Sequence, residues 1–85
     1  MATQHIAVEA KHFIGSGAKA WLIAGRIPGD DDDTPYLVLA DDESLAQEVF
    51  EGQLYADGDV TKEEQAHLVE RYNSSIIITT SLLLN

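Results

Sequence analysis

The C-terminal segment, residues 75–84, constrains the fold more than any other part of the chain. Five β-branched residues follow one another from Ile76 to Thr80, and such residues favour a strand. Three leucines at residues 82–84 extend it, and no residue of the segment carries a charge. A strand of this kind must pair inside a sheet or be covered by a partner, because an exposed apolar edge promotes aggregation. The segment therefore predicts a sheet that contains other strands.

Three upstream segments supply those strands. Residues 5–14 alternate between two faces, and residues 18–27 form a second extended segment after a Gly-Ser-Gly turn. The two are predicted to pair as an antiparallel hairpin. Residues 36–40 lack polar alternation, which indicates a central strand covered on both faces. A loop over residues 28–35, rich in Pro, Gly and Asp, joins this strand to the second segment as another hairpin.

The first of two predicted helices begins at three consecutive acids. Asp41, Asp42 and Glu43 place carboxylates where the first turn has free N–H groups and the positive end of the helix dipole. The helix is expected to weaken at Gly52 and to give way to a turn over residues 55–59. Its apolar stripe consists of Leu45, Ala46, Val49 and Phe50 and is expected to continue to Gln53-Leu54.

The second helix has clear signals at both ends. Thr61 and Glu64 form a capping box at its start, and Asn73 is suited to the left-handed conformation that stops a helix. Its inner face is expected to contain Ala66, Val69 and Tyr72, with Leu68 beside them.

The order β-β-β-α-α-β predicts a single α+β domain over residues 1–85. We expect two layers, an antiparallel sheet of about four strands and two helices on one of its faces. A chain of 85 residues buries only about two-thirds of its unfolded surface, so the core is modest. The other face of the sheet would stay in contact with water or form a homodimer.

Charge and composition exclude several classes of function. The chain has 15 Asp and Glu against 5 Lys and Arg, a formal net charge of −10. Phosphates would repel such a chain, which argues against direct binding to nucleic acid or to an anionic membrane. No apolar run approaches the ~18 residues of a membrane span, and the start lacks a signal peptide, so a cytoplasmic location is predicted. The absence of cysteine excludes disulfides and thiolate metal sites.

Neither a metal nor a cofactor is predicted. The four aspartates at residues 30–33 could hold a divalent cation, but they lack the spaced ligands and the bidentate Glu of a calcium loop. A solvated loop explains them better. His67 with Glu63 or Glu70 could form a weak metal pair, whereas a surface ion-pair network is the favoured interpretation.

Catalysis is not expected, and no catalytic residue is assigned. Ser16 lies between two glycines with Lys19 nearby, but the Gly-Lys-Ser/Thr ending of a phosphate-binding loop is absent. The acids fall in loops and on outer helical faces, whereas a general acid needs burial to raise its pKa. An enzyme would require a pocket in which His12 or His67 meets buried carboxylates.

The acids are concentrated in one stretch of the chain. Of the 15, 14 lie between residues 30 and 70, and only Lys62 and Arg71 offset them. Helices packed side by side would turn these acids into a continuous anionic surface. Carboxylates at i, i+3 and i+7 lie roughly 5 to 10 Å apart along a helix, which overlaps the phosphate spacing of a nucleic-acid strand. The pattern favours an acidic face that binds a basic protein surface.

The second half of the chain also has a characteristic layout. It runs from Tyr36-Leu37-Val38-Leu39 through the helix start Asp42-Glu43-Ser44-Leu45 and an acidic turn to the strand ending Ser81-Leu82-Leu83-Leu84-Asn85. Over roughly residues 36 to 85 this layout resembles small phage anti-CRISPR proteins, including some inhibitors of type II-A Cas9. The resemblance implies a nucleic-acid mimic that covers the DNA-binding surface of its target. It implies a partner-binding set of Asp30, Asp31, Asp32, Asp33, Asp41, Asp42, Glu48, Glu51, Asp57, Asp59, Glu63 and Glu64.

Two functions of different classes follow from the sequence. The first is a non-enzymatic inhibitor from a phage or mobile element, whose acidic face blocks a basic nucleic-acid-binding protein such as a CRISPR effector, a restriction enzyme or a repair enzyme. The alternative is a small acidic structural or oligomerisation module that dimerises through its sheet, as residues 76–84 suggest. Partner binding that weakens steeply with salt would favour the first, and a stable salt-insensitive dimer the second.

Overall fold

The structure, a computed structural model, describes residues 13–84. It confirms an α+β chain with four strands and two helices. Residues 5–12 of the predicted first strand lie outside the described part. The elements in order are β1 (Phe13–Gly15), β2 (Lys19–Arg26), β3 (Thr34–Ala40), α1 (Glu43–Asp57), α2 (Lys62–Tyr72) and β4 (Ile77–Leu83).

The sheet is mixed rather than antiparallel. Its strand order is β1-β3-β2-β4, so β2 pairs antiparallel with both β3 and β4, while β1 pairs parallel with β3. The predicted hairpin between the first two strands is therefore wrong, whereas the second hairpin, β2 with β3, is confirmed.

The glycine-containing connection after β1 explains the misassigned hairpin. It crosses the end of β3 instead of reversing into a neighbouring strand. A Cβ on Gly17 would lie only 2.4 Å from the Cα of Ala40, the last residue of β3, so only glycine fits this crossing. The backbone N–H of Ala18 then donates to the carboxylate of Asp41 at 2.9 Å, which ties the crossing to the start of α1.

The core lies between α1 and one face of the sheet. Its fully buried side chains include Ile23 from β2, Val38 from β3 and Phe50 from α1. Trp21 is buried beside them, and its indole N–H donates to the carbonyl of Ala40 at 3.1 Å. The central position predicted for β3 is confirmed, since β3 pairs with β1 and β2, but Leu37 and Leu39 on its other face are only half-buried.

Helix α1 is longer than the sequence suggested. It continues past Gly52, beside which a Cβ would meet open space, and it ends at Asp57. The predicted turn therefore begins at Gly58, and Leu54 and Tyr55 are buried residues of the helix. The predicted stripe is confirmed as far as Leu54 except at the exposed Leu45, and burial of Leu54 and Tyr55 beyond Gly52 holds the glycine in helical conformation.

Helix α2 buries none of its residues completely. Its capping box at Thr61 and Glu64 is confirmed, and so is the left-handed Asn73 at φ 58°. Of the predicted inner face, only Leu68 is half-buried, whereas Ala66, Val69 and Tyr72 are exposed. The predicted inner face is therefore wrong. Helix α2 lies beside the turn before β3 instead of packing across the sheet.

Strand β4 lies at an edge of the sheet. It pairs with β2 alone, through a bulge where Ala24 gives way to Gly25. The expected pairing in a sheet is therefore confirmed on one side of β4, and its other edge has no strand beside it among the described residues. Side-chain contacts from Ser81 to Glu43 at 2.6 Å and Gln47 at 3.3 Å attach it to α1. Within residues 13–84, no helix has the length and apolar character needed to cross a bilayer.

Candidate acidic interface

The acids of the predicted partner-binding set are divided between the two ends of the sheet. The aspartates at residues 30–33 precede β3, and Asp41 and Asp42 follow it. The seven residues of β3 separate these groups by about 23 Å. Helix α1 then runs back toward the first group. Its last residue, Asp57, accepts a hydrogen bond from the hydroxyl of Tyr36, near the start of β3.

At the end where α1 begins, the acids have structural tasks. Asp42 is the N-cap of α1, and its carboxylate accepts the N–H of Leu45 at 2.9 Å. Asp41 accepts the N–H of Ala18 at the same distance. Both are exposed, yet each already fills part of its hydrogen-bonding capacity within the chain. The predicted contact with the first turn of the helix is confirmed for Asp42, whereas Asp41 accepts from Ala18, which lies outside the helix.

At the opposite end, Asp33 and Asp57 are also held in place. Asp33 accepts from the hydroxyl of Thr79 at 2.7 Å and from the guanidinium of Arg26 at 2.9 Å. These two donors, Thr79 first, hold the pKa of Asp33 below its ordinary value. The contact links the loop before β3 to both β2 and β4. Asp57 accepts from the side-chain amide of Gln53 at 2.9 Å, in addition to Tyr36.

Glu48 and Glu51 lie on α1 between the two ends. They line a groove of about 630 Å³ between α1 and the start of α2, and Lys62 lines the same groove. Glu48 is exposed and Glu51 is half-buried. The positively charged side chain of Lys62 therefore lies within the patch that the sequence predicted to be anionic.

A cavity of about 590 Å³ lies between α2 and the turn that follows β2. Asp30 and Glu64 line it together with His67 and Arg71. The ring of Tyr72 lies 5.5 Å from the Arg71 guanidinium, a cation–π distance. Sequence reasoning placed His67 beside Glu64 and Arg71 on one helix, but it did not connect Asp30 with them. The i, i+4 spacing of His67 and Arg71 was the available signal, but nothing in the sequence placed Asp30 opposite that face of the helix.

Seven of the predicted acids make no side-chain hydrogen bond to another described residue. We call these the uncommitted acids, and all except the half-buried Glu51 are exposed. The other five are hydrogen-bonded within the chain. The uncommitted acids are Asp30, Asp31, Asp32, Glu48, Glu51, Asp59 and Glu63.

Four uncommitted acids share one end of the molecule. Asp30 and Gly58 line the same cavity, and Asp59 follows Gly58 directly. Asp31 and Asp32 continue the loop from Asp30. We define the acidic end as Asp30, Asp31, Asp32 and Asp59. The predicted ion-pair network around His67 is not found, since the ion pair within 4.0 Å among residues 13–84 joins Arg26 and Asp33.

The acids do not come together as a metal site in the described part of the chain, where no three Asp, Glu or His side chains are placed to share an ion. Comparisons with protein-family models, with curated proteins and with solved structures found no significant match. The function must therefore be argued from the residues of this chain alone.

Proposed function

We propose that the protein is a non-enzymatic inhibitor that binds a basic, nucleic-acid-binding protein through its acidic end and excludes the nucleic acid. The observation that carries this proposal is the group of exposed, uncommitted aspartates Asp30, Asp31, Asp32 and Asp59. They lie at one end of the sheet, and their carboxylates accept no hydrogen bond from another described residue. The partner would be a protein that defends a cell against phages or mobile elements, such as a CRISPR effector or a restriction enzyme. The acidic end would occupy the basic groove in which that protein binds nucleic acid.

Electrostatics supports this arrangement in two ways. First, the net charge of −10 steers the protein toward a basic surface and accelerates association. Second, the carboxylates of the acidic end are exposed, so they reach Lys and Arg side chains of a partner without first breaking contacts in their own chain. Asp33 and Asp57, in contrast, would have to give up hydrogen bonds.

The structure changes which acids an experiment should replace. Reversing Asp41 and Asp42 would remove a helix cap and the contact to Ala18, so lost binding would be confused with lost stability. The triple variant Asp30→Asn, Asp31→Asn and Asp32→Asn alters only exposed loop side chains. A matched control, Glu48→Gln, Glu51→Gln and Glu63→Gln, changes the net charge equally at other positions.

The test is affinity capture from a bacterial lysate at low and moderate salt, followed by titration of the captured protein with the wild type and both variants. We expect to capture a basic nucleic-acid-binding protein. Added duplex DNA should compete with our protein for it and release it. The loop variant should weaken its binding at least tenfold, and the control should weaken it much less. Equal losses for both variants would show that net charge, and not the acidic end, drives association. Binding that is insensitive to both variants and to salt would refute the proposal.

A further inference from the structure

The face of the sheet opposite α1 is apolar across all four strands. The pairing register decides its membership, because residues directly opposite each other on neighbouring strands project to the same side. Leu22 pairs with Leu37 on one side and with Leu82 on the other, and Leu37 also pairs with Phe13. Together with apolar neighbours on the same side, these residues form what we call the open sheet face: Phe13, Ala20, Leu22, Ala24, Leu37, Leu39 and Leu82. The exposed Thr80, opposite Ala24, also projects to this side.

No described helix covers the open sheet face. Helix α1 packs on the opposite face, against Trp21, Ile23, Val38 and Ala40. Helix α2 buries none of its residues against the sheet. Leu82 is 52% exposed, and the other members of the open sheet face are half-buried between their strand neighbours. An uncovered apolar surface of this extent is characteristic of an interaction site.

Among the described residues, the charge on this side of the sheet is balanced within the chain. The alternation of β2 places Arg26 on the same side as Leu22 and Ala24, and Arg26 is already paired with Asp33. The uncommitted acids lie on the helices and in the loops. Two copies of the chain can therefore bring their open sheet faces together without opposing carboxylates, despite the net charge of −10.

The area of the face decides between two ways in which copies could associate. The 25 residues of the four strands, each covering about 3.3 Å along and 4.8 Å across its strand, give a flat footprint of roughly 400 Å², which side-chain relief enlarges. A specific interface buries about 800 Å² per partner. Contact along the free edge of β4 alone would cover only about a quarter of that footprint. Only the whole face approaches the required area.

We propose that this protein forms a symmetric homodimer in which the open sheet faces of two copies stack on each other. Sheets packed in this way lie about 10 Å apart, and a two-fold axis lets the same residues serve both partners. Leu22 and Leu37 on the inner strands lie near the centre of the interface, and Leu82 lies near its rim. The acidic ends remain outside it, so the dimer does not depend on the proposed function.

Leu82 and Leu83 provide a matched pair of test positions. They are neighbours on β4, 52% and 50% exposed, but Leu82 projects to the open sheet face and Leu83 to the helical side. Leu82→Glu and Leu83→Glu add the same charge at nearly the same place. Sedimentation equilibrium across a concentration series should show a wild-type dimer that Leu82→Glu weakens at least tenfold. Leu83→Glu should leave the dissociation constant within about twofold of the wild type.

Each other outcome overturns the proposal. Equal weakening by the two variants would indicate pairing along the edge of β4. A dimer that neither variant affects would use another surface. In that case Leu22→Glu, at the centre of the open sheet face, would also leave the dimer unchanged. A monomeric wild type at high micromolar concentration would exclude self-association and leave residues 1–12 or a foreign partner to cover the face. Circular dichroism and thermal melting of each variant separate dissociation from unfolding.

Discussion

Helices α1 and α2 differ in what holds them in place. Helix α1 inserts Ala46, Phe50, Leu54 and Tyr55 into the protein, and the phenolic hydroxyl of Tyr55 donates to the carbonyl of Ser75. Burial raises the pKa of Tyr55, so this donor keeps its proton over the ordinary pH range. Helix α2 has no fully buried residue, and its Val69 and Tyr72 side chains are exposed. It depends on its caps and on half-buried contacts at Gln65 and Leu68.

The stronger local signals belong to the less anchored helix. Helix α2 has a capping box, a left-handed Asn73 and Arg71 in its last turn, where a cation suits the dipole. Helix α1 has an N-cap but no basic residue in its last turn, and Gly52 lies within it. Local signals therefore locate the ends of a helix, whereas packing determines how firmly the helix is held.

The largest difference should appear when one large side chain is removed from each helix. Phe50→Ala should lower the free energy of unfolding by about 3–5 kcal/mol, because its ring is fully buried and packs edge-on against Tyr36 at 5.7 Å. Leu68→Ala should cost less than about 1 kcal/mol, since Leu68 is only half-buried. Urea denaturation measures both. Similar losses for the two variants would show that α2 is anchored as firmly as α1.

Hydrogen exchange should separate the helices without any substitution. Amides in the middle of α1 should exchange only when the whole protein unfolds, whereas amides of α2 should exchange through local opening, at least tenfold faster. The residues to compare are those around Phe50 and those around Leu68. Equal protection in the two helices would mean that they unfold as one unit.

Removal of each N-cap should give a smaller effect that differs in kind. Asp42→Ala should lower global stability by about 1 kcal/mol, because the cap belongs to the helix that carries the core. Thr61→Ala should mainly speed exchange of α2 amides and change the melting temperature little. Thermal melting combined with hydrogen exchange distinguishes the two responses. A large drop in melting temperature for Thr61→Ala would count against the contrast between the helices.

The smallest effect should come from single aspartates of the loop before β3, which also differ in whether the fold holds their side chains. Asp33 is held by Thr79 and Arg26, and its lowered pKa means that the charged form stabilises the folded state. That contribution is present at neutral pH and is lost as the pH falls below about 4 toward the folded-state pKa. Asp33→Asn should therefore be slightly less stable than wild type at pH 7, with the difference disappearing in acid. Asp31→Asn, a control in the same loop whose carboxylate has no described hydrogen-bond partner, should change the stability at pH 7 less than Asp33→Asn does.

Sequence reasoning was most successful where structure depends on close neighbours. The cap at Asp42, the capping box of Thr61 and the hairpin of β2 with β3 all involve residues near one another in the chain. It was less successful for the acidic site. It located the aspartates at residues 30–33 in a loop, but it could not show that Thr79 engages Asp33 while Asp30, Asp31 and Asp32 stay uncommitted.

The sequence by itself determined the element types, most of their ends and the concentration of acids between residues 30 and 70. Only the tertiary structure decided that β1 pairs with β3, that β4 lies at an edge and that α2 stays largely exposed. The physical reason is that caps and turns are satisfied within a few residues, whereas strand order depends on which distant apolar faces close most completely. Several pairings of these strands satisfy the same local pattern, and the burial of Ile23, Val38 and Phe50 selects among them.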